Sequence, residues 1–364
     1  MSVVVRAVFV GALSLFAAAA QAEDKELNIY NWSEYIGHNT IAEFEKATGI
    51  HVTYDTYDSD EAVEAKVMAG GASYDIVSTT TSYFGRQIKA GVYLELDKSK
   101  LPNWKNLDPD ILAAEAKFDP GNAHAAPYFH GTNGFMYNVD KIKARMPDAP
   151  VDSLDMLFKP EVVSKFADCG VTLLDAPRDM LQLALAYLKR DPNSNDPADY
   201  QAAGEMLAKV RPYIRAFDSI EYLTALPNGD LCLVATWSGD FSLASQRAKA
   251  AGLNVHLAYT VPKEGANGWY DAFLIPKGAP HPDAAHKFLN FMMDPKVIAE
   301  VTNDLHYAND NAAAQPFVDP AILNDPNFYP TPEMRKRLYL TLMDTNPEIP
   351  RLRTRIWTKV KTGY

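Results

Sequence analysis

Apolar and polar positions alternate between two periods along this chain, and the switching predicts its elements. Glu26-Leu27-Asn28-Ile29-Tyr30-Asn31-Trp32 reads as a first strand, and Ile41, Phe44 and Ala47 then keep helical spacing up to Gly49. His51-Val52-Thr53-Tyr54 is a second strand. Ser59-Asp60-Glu61 opens a helix as a cap followed by first-turn acids, and Gly70-Gly71 ends it. Asp75-Ile76-Val77-Ser78 is a third strand, followed by a helix from Tyr83 to Lys89. Strand and helix thus alternate three times in succession, which predicts a sheet that begins parallel.

Tyr128 to Asn138 reads as a strand interrupted by Gly131 and Gly134, as a crossover between two lobes would be. Further strands are expected at Val171–Leu174, Ile214–Phe217, Val255–Val261 and Ala272–Pro276. Helices are expected from Pro177, over Ala198–Val210, Pro282–Met293, Pro295–Asn303, Pro330–Met343 and Thr354–Lys361. Leu231-Cys232-Leu233-Val234-Ala235-Thr236 is an apolar run bounded by Asn228-Gly229-Asp230, as in a strand buried on both faces. It ends on Trp237-Ser238-Gly239-Asp240, where Ser238 or Asp240 would cap the next helix. Ligands of open α/β sheets bind outside the carboxyl ends of strands, so Trp237 and Asp240 should face a cleft. An aromatic face beside a carboxylate suits an organic cation.

The first 22 residues have a short basic start, an apolar run from Ala7 to Ala20 and an Ala20-Gln21-Ala22 cleavage pattern. They read as an export signal cleaved after Ala22, the alternative being an N-terminal anchor. The remaining length is that of two lobes. The net charge of −11 argues against nucleic acid and anionic membranes as partners. Cys169 and Cys232 are the two cysteines, each beside a predicted strand. In an exported chain an even pair reads as a disulfide, the alternative being two buried thiols. A bridge over that span would contribute ~4 kcal/mol in the chain-entropy picture.

Common catalytic spacings are absent: the sequence has no Walker loop, no H-E-x-x-H and no G-x-S-x-G, and no metal or cofactor is expected. Asp191-Pro192-Asn193-Ser194-Asn195 starts like a calcium loop but lacks its glycine and closing glutamate. Asn31-Trp32-Ser33 matches a glycosylation sequon that occurs often by chance. Aromatic and polar residues recur together at predicted strand ends, in Trp32-Ser33-Glu34-Tyr35, Thr79-Thr80-Thr81-Ser82-Tyr83, Asp175-Ala176-Pro177-Arg178-Asp179, Trp237-Ser238-Gly239-Asp240, Trp269-Tyr270-Asp271 and His306-Tyr307-Ala308-Asn309.

These clusters carry a resemblance. Tyr30 to Tyr35, Leu174-Asp175-Ala176-Pro177, Asn228-Gly229-Asp230, Trp237 to Asp240, Tyr307-Ala308-Asn309 and the tail Arg353 to Lys361 together resemble the periplasmic polyamine-binding receptors of ABC importers. The resemblance implies a type II periplasmic binding protein of α/β class. It would have two lobes, each a mostly parallel sheet flanked by helices, with the ligand in the cleft. The implied lobes are 23–132 with 255–325, and 133–254 with 326–364. Trp32, Tyr35, Trp237, Trp269 and Tyr307 would hold a methylene chain. Asp240 and Asp271 would bind one terminal ammonium, Ser33 and Thr80 would add hydrogen bonds, and Asp179, aided by Glu34, would take the other end. Arg178 stands beside Asp179, where similar proteins often carry two acids. The Cys169–Cys232 bridge fits the family. Glu34 and Trp269 favour spermidine over putrescine. The implied partners are that polyamine and a membrane permease, with the receptor a monomer, not inserted in the membrane and not an enzyme. The competing readings are a secreted enzyme using Asp240 and Asp271, and a receptor for another cationic solute.

Overall fold

The computed structural model describes residues 25–70 and 73–363; the expected export signal lies outside them. Strands β1 (Glu26–Trp32), β2 (His51–Tyr57) and β3 (Ile76–Thr80) form the start of the sheet, with β1 parallel to both neighbours. Alternate residues of β1 are buried; Leu27 and Ile29 point into one apolar core, and Phe44 of the following helix packs there with them. The helix ends at Gly49 in the left-handed conformation, as expected.

Two long strands then cross the molecule. β4 (Ala125–Asn138) is unbroken, with a register shift between Pro127 and Phe129. β5 (Val171–Leu173), β6 (Ala216–Phe217), β7 (Leu233–Trp237) and β8 (Leu257–Thr260) follow. β9 (Ala266–Leu274) runs antiparallel to β4 along most of its length. The first half of β4 lies with β9, near β3, and its second half pairs with β7 and β8. β5 lies parallel between β7 and β6. Helix-linked strands are therefore parallel, and the two crossover strands run antiparallel to each other and to β3, β7 and β8 where they pair with them.

Two principal cores follow the same division. One gathers Leu27, Ile29, Phe44, Phe129, Phe273 and Phe288. The other gathers Phe135, Leu173, Leu185, Val234, Tyr259 and Trp357. At the crossing, Gly131 has no room for a side chain, because the indole of Trp269 lies where a Cβ would be. The interruption legible in the sequence is a close approach, not a break in the strand.

Two segments near the C-terminal end differ from expectation. Pro330–Met343 is not one helix: a single turn, Pro332–Arg335, is followed by β11 (Leu338–Tyr339), which pairs with Ala266 and Asn267. β10 (Ala308–Asn309), earlier in the chain, pairs with β4. Pairing outweighs helix propensity because Asn193, in the loop that began like a calcium site, donates to the Leu340 carbonyl at 2.9 Å and accepts from the Leu342 amide at 2.7 Å. The last helix starts earlier than expected, at Glu348, with Pro350 in the first turn, where no intrahelical donor is lost. Cys169 and Cys232 form a disulfide with Cα atoms 5.6 Å apart, tying the approach to β5 to the start of β7.

Candidate functional site

A narrow cavity of about 120 Å³ opens between the two cores. Trp32, Ser33, Glu34, Tyr35, Thr80, Asp179, Trp237, Asp240, Trp269, Asp271 and Tyr307 all line it. The sequence reasoning therefore selected residues that the fold gathers in one place, although their roles need revision.

Asp240 sits in the first turn of the helix Ser238–Ala250 and caps nothing; Trp237 holds the cap position and no side-chain cap bond forms. The positive end of a helix favours a carboxylate at this place. Tyr307 donates its hydroxyl to Asp240 Oδ1 at 2.9 Å, and Tyr222 donates to Oδ2 with Thr236 3.2 Å away. The Tyr307 ring lies flat against Gly239, where any side chain would collide with it. Burial pushes the Asp240 carboxyl up to about 6, against the lowering effect of those three hydroxyls.

Asp271 belongs to β9, inside the strand and not before it as expected. It is 4% exposed, accepts from the Tyr35 hydroxyl at 2.8 Å on Oδ2, and leaves Oδ1 without a partner. Burial pushes its carboxyl up to about 8, with Asp310 and Asp179 adding repulsion. The chain delivers Tyr35 through a turn at Glu34, whose φ of 57° is left-handed. Asn31 holds that turn, donating to the Tyr35 carbonyl at 3.1 Å and accepting from the Trp32 amide at 2.8 Å. Asn31 is fully buried, so the apparent sequon is structural.

The walls are aromatic. Tyr35 and Tyr307 meet edge to face with centroids 4.9 Å apart, Trp269 lies 5.9 Å from Tyr307, and Trp32 faces Trp237 across the cleft at 6.5 Å. Trp237 donates its indole N–H to Asp179 at 3.0 Å. Burial raises the Asp179 carboxyl, opposed by that bond.

Three expected contributors have their groups engaged by protein. Ser33 donates to the Tyr57 carbonyl at 3.2 Å. Thr80 hydrogen-bonds Asp60 and Ser82 at 3.2 and 2.7 Å. Glu34 lies 3.5 Å from Arg247, its side chain 54% exposed, so it joins the two sides of the cleft at the rim. Arg178 also borders the cavity, but its guanidinium donates to the carbonyls of Ser82 and Leu342 and lies 3.9 Å from Asp344. Its charge is thus directed at the C-terminal segment. Tyr57, Asp60 and Glu61 line the cavity and were not singled out as site residues, and Tyr83, noted only within a strand-end cluster, lines it too. Asp60 and Glu61 were legible only as generic first-turn acids.

This geometry is that of an enclosed cleft with acidic and aromatic walls, of a size for a small solute. The bacterial extracellular solute-binding protein family matches residues 39–330, and this chain belongs to it. It is 47% identical over 351 residues to the putrescine-binding periplasmic protein SpuD of Pseudomonas aeruginosa, covering 96% of this chain and 95% of that one. It is 48% identical over 344 residues to the putrescine-binding periplasmic protein PotF of Escherichia coli, covering 94% and 93%. Among solved structures, the spermidine/putrescine ABC transporter substrate-binding protein PotD of Streptococcus pneumoniae superposes with a TM-score of 0.75 at 29% identity, covering 93% of this chain and 99% of that one. The two relatives are named as periplasmic binding proteins, and the solved structure as an ABC transporter substrate-binding protein. Among the described residues no helix is long and apolar enough to cross a membrane.

Proposed function

We propose that this protein captures a linear polyamine in the periplasm and hands it to the permease of an ABC importer. The observation that carries the reading is a pair of desolvated carboxylates, Asp240 and Asp271, held by tyrosine hydroxyls on aromatic walls. An ammonium taken out of water needs a paired, hydrogen-bonded anion, and a methylene chain needs apolar walls. Cation–π contacts with the aromatic walls add about 0.5–2 kcal/mol each. The names of the relatives support the same ligand class.

In this reading the chain acts as a monomer after cleavage behind Ala22, and performs no chemistry. Its lobes close about β4 and β9, as hinge-closing binding proteins do. The lobe division proposed with this reading differs from the sequence expectation. β8 pairs with Phe135–Asn138, and Tyr259 and Val261 pack in the second core, so residues 255–268 go with 133–254. Tyr329 and Phe328 pack with the first core, which extends that lobe past 325. Putrescine is favoured by the relatives' names, spermidine by Trp269 and the acids at the far end of the cavity.

The test is a thermal-shift screen of putrescine, cadaverine, spermidine and spermine beside arginine and glutamate. The reading predicts a rise in melting temperature with a polyamine and none with glutamate. Equal or absent responses to all six would contradict it.

A further inference from the structure

The chain passes between the two lobes a third time, near its C-terminal end. Phe328 and Tyr329 pack with the first core, and Ile349 and Leu352 of the last helix pack with the second. The strap between them pairs with β9 through β11 and is then stitched to the second lobe. Thr341 donates its hydroxyl to the Gln182 side-chain oxygen at 2.7 Å, and Asn193 holds Leu340 and Leu342. Asn195 accepts from the Thr345 and Asn346 amides at 2.9 and 3.0 Å. Towards the first lobe the strap leaves a gap. A second cavity, of about 470 Å³, separates Arg86, Lys89 and Phe118 from Leu342, Met343 and Pro347.

One buried side chain ties the strap to the first lobe. Arg178 is the second residue of the helix Pro177–Tyr187 and is 6% exposed. Its guanidinium donates to the Leu342 carbonyl on the strap, and at 3.4 Å to the Ser82 carbonyl in the first turn of the helix Thr81–Lys89. Asp344 lies 3.9 Å from it and is itself gripped by Arg353 of the last helix through two bonds of 2.7 and 2.8 Å. Burial works against the charge on Asp344, yet Arg353 and Arg178, with Arg86 from the first lobe, hold its carboxyl below the usual carboxylate range. A guanidinium this deep is costly unless its donors and its charge are met. Here the groups that meet them come from the first lobe and from the strap. Among the described residues Arg178 makes no hydrogen bond to Asp179, Asp240 or Asp271.

We propose that Arg178 is a positioning residue for closure: anchored on the strap by Leu342 and Asp344, it clamps the helix Thr81–Lys89 of the first lobe against the second and raises the share of closed molecules. The proposal rests on the hinge-closing receptor of the preceding reading and deepens it. β4 and β9 are continuous strands that persist in any arrangement of the lobes. The Arg178–Ser82 bond joins a donor on one lobe to a carbonyl on the other, so it exists only while the lobes stay together. A charge-assisted hydrogen bond made in one state and absent from the other shifts the balance between them by its full difference. Apparent affinity follows the fraction of competent molecules, so the clamp acts equally on every ligand that the closed cleft accepts.

The test compares the wild type with Arg178→Met, which keeps the apolar stem, and Arg178→Lys, which keeps the charge but not the forked donors. Putrescine and spermidine are titrated calorimetrically into each protein, and small-angle X-ray scattering of the unliganded and saturated forms reports closure. Both variants are expected to bind each polyamine about tenfold more weakly, the scale of one charged hydrogen bond, with the ratio between the two ligands unchanged within about twofold. Unliganded, both should have a larger radius of gyration than the wild type, and saturated, the same one. Tighter binding in Arg178→Met would overturn the clamp, because Arg178 would then act only as a cation that repels the ligand. So would wild-type affinity in Arg178→Lys, losses that differ between the two polyamines, or an unchanged radius of gyration in both unliganded variants. If Arg178→Met fails to fold, Arg178→Lys carries the same comparison. A wild type that binds neither polyamine removes the polyamine reading, and the unliganded scattering still decides the clamp.

Discussion

Two kinds of buried carboxylate occur in this protein, and their partners tell them apart. Asp75 is fully buried and saturated. It accepts from the Asn28 amide at 2.8 Å, the His281 amide at 2.6 Å and the His281 ring at 3.0 Å. Asp119 is fully buried too and takes the His124 and Ala125 amides at 2.7 and 2.9 Å, with the His124 ring at 2.9 Å. Both lie outside the cleft and are held by backbone N–H groups and an imidazole. Asp240 and Asp271 are also buried, though less completely, but only hydroxyl groups serve them, and Asp271 keeps one oxygen free. Hydroxyls orient a carboxylate without neutralising it. The structural acids are complete within the fold, whereas in the proposed function the cleft acids take their cation from the ligand. Burial alone does not mark a site; these two acids stand apart by lining the cleft with hydroxyl groups as their partners.

The largest effect should come from removing a cleft acid. Asp240→Asn or Asp271→Asn should weaken polyamine binding by about 2–5 kcal/mol, the cost of truncating one partner of a buried charge pair. Calorimetry checks this, and unchanged affinity in both would erase the distinction. Asp75→Asn should do the reverse, costing about 2 kcal/mol of folding stability in denaturant titration while leaving polyamine affinity within twofold.

The pH dependence sharpens the contrast. The folded carboxyls of Asp240 and Asp271, at about 6 and about 8, lie above their unfolded value of roughly 4. Between those values the native state binds more protons than the unfolded state, so unliganded stability falls as pH rises from about 4 to 8. Polyamine affinity should move the opposite way, tightening over the same range as the acids ionise. Melting temperatures with and without ligand at pH 5, 6, 7 and 8 should therefore diverge with rising pH. For the same reason Asp271→Asn should raise the unliganded melting temperature at pH 8 by about 2–4 °C for each kcal/mol of relieved strain. The smallest effect is expected for Tyr35→Phe, which deletes one hydroxyl donor to Asp271 and should cost about 1 kcal/mol of binding.

Much of this was legible from the chain. Strand ends carrying a carboxylate beside an aromatic, such as Trp237 with Asp240, were visible as pattern because strands and helices have different periods. What the pattern could not supply was long-range satisfaction. Ser33 and Thr80 looked free to meet a ligand, yet the fold presents the Tyr57 carbonyl to one and Asp60 to the other. Arg178 looked like a departure from the two acids of similar proteins, with no partner in view until Asp344 and the Leu342 carbonyl came back from the far end of the chain. Asp60 was hidden for the opposite reason: Ser-Asp-Glu is ordinary at a helix start, and only the placement of β3 beneath it sets the acid on the cavity wall. The misread segment Pro330–Met343 follows the same rule, since its extended backbone answers to Ala266, Asn267 and Asn193.

The most direct measurement of the central claim is calorimetry of spermidine and putrescine at pH 7 in two buffers of different ionisation enthalpy. An incoming ammonium stabilises the ionised form of a carboxyl that burial pushes up to about 8. The account predicts tight binding with net proton release, and a marked loss of both affinity and proton release in Asp271→Asn. Binding without proton release, or undiminished in Asp271→Asn, would contradict it.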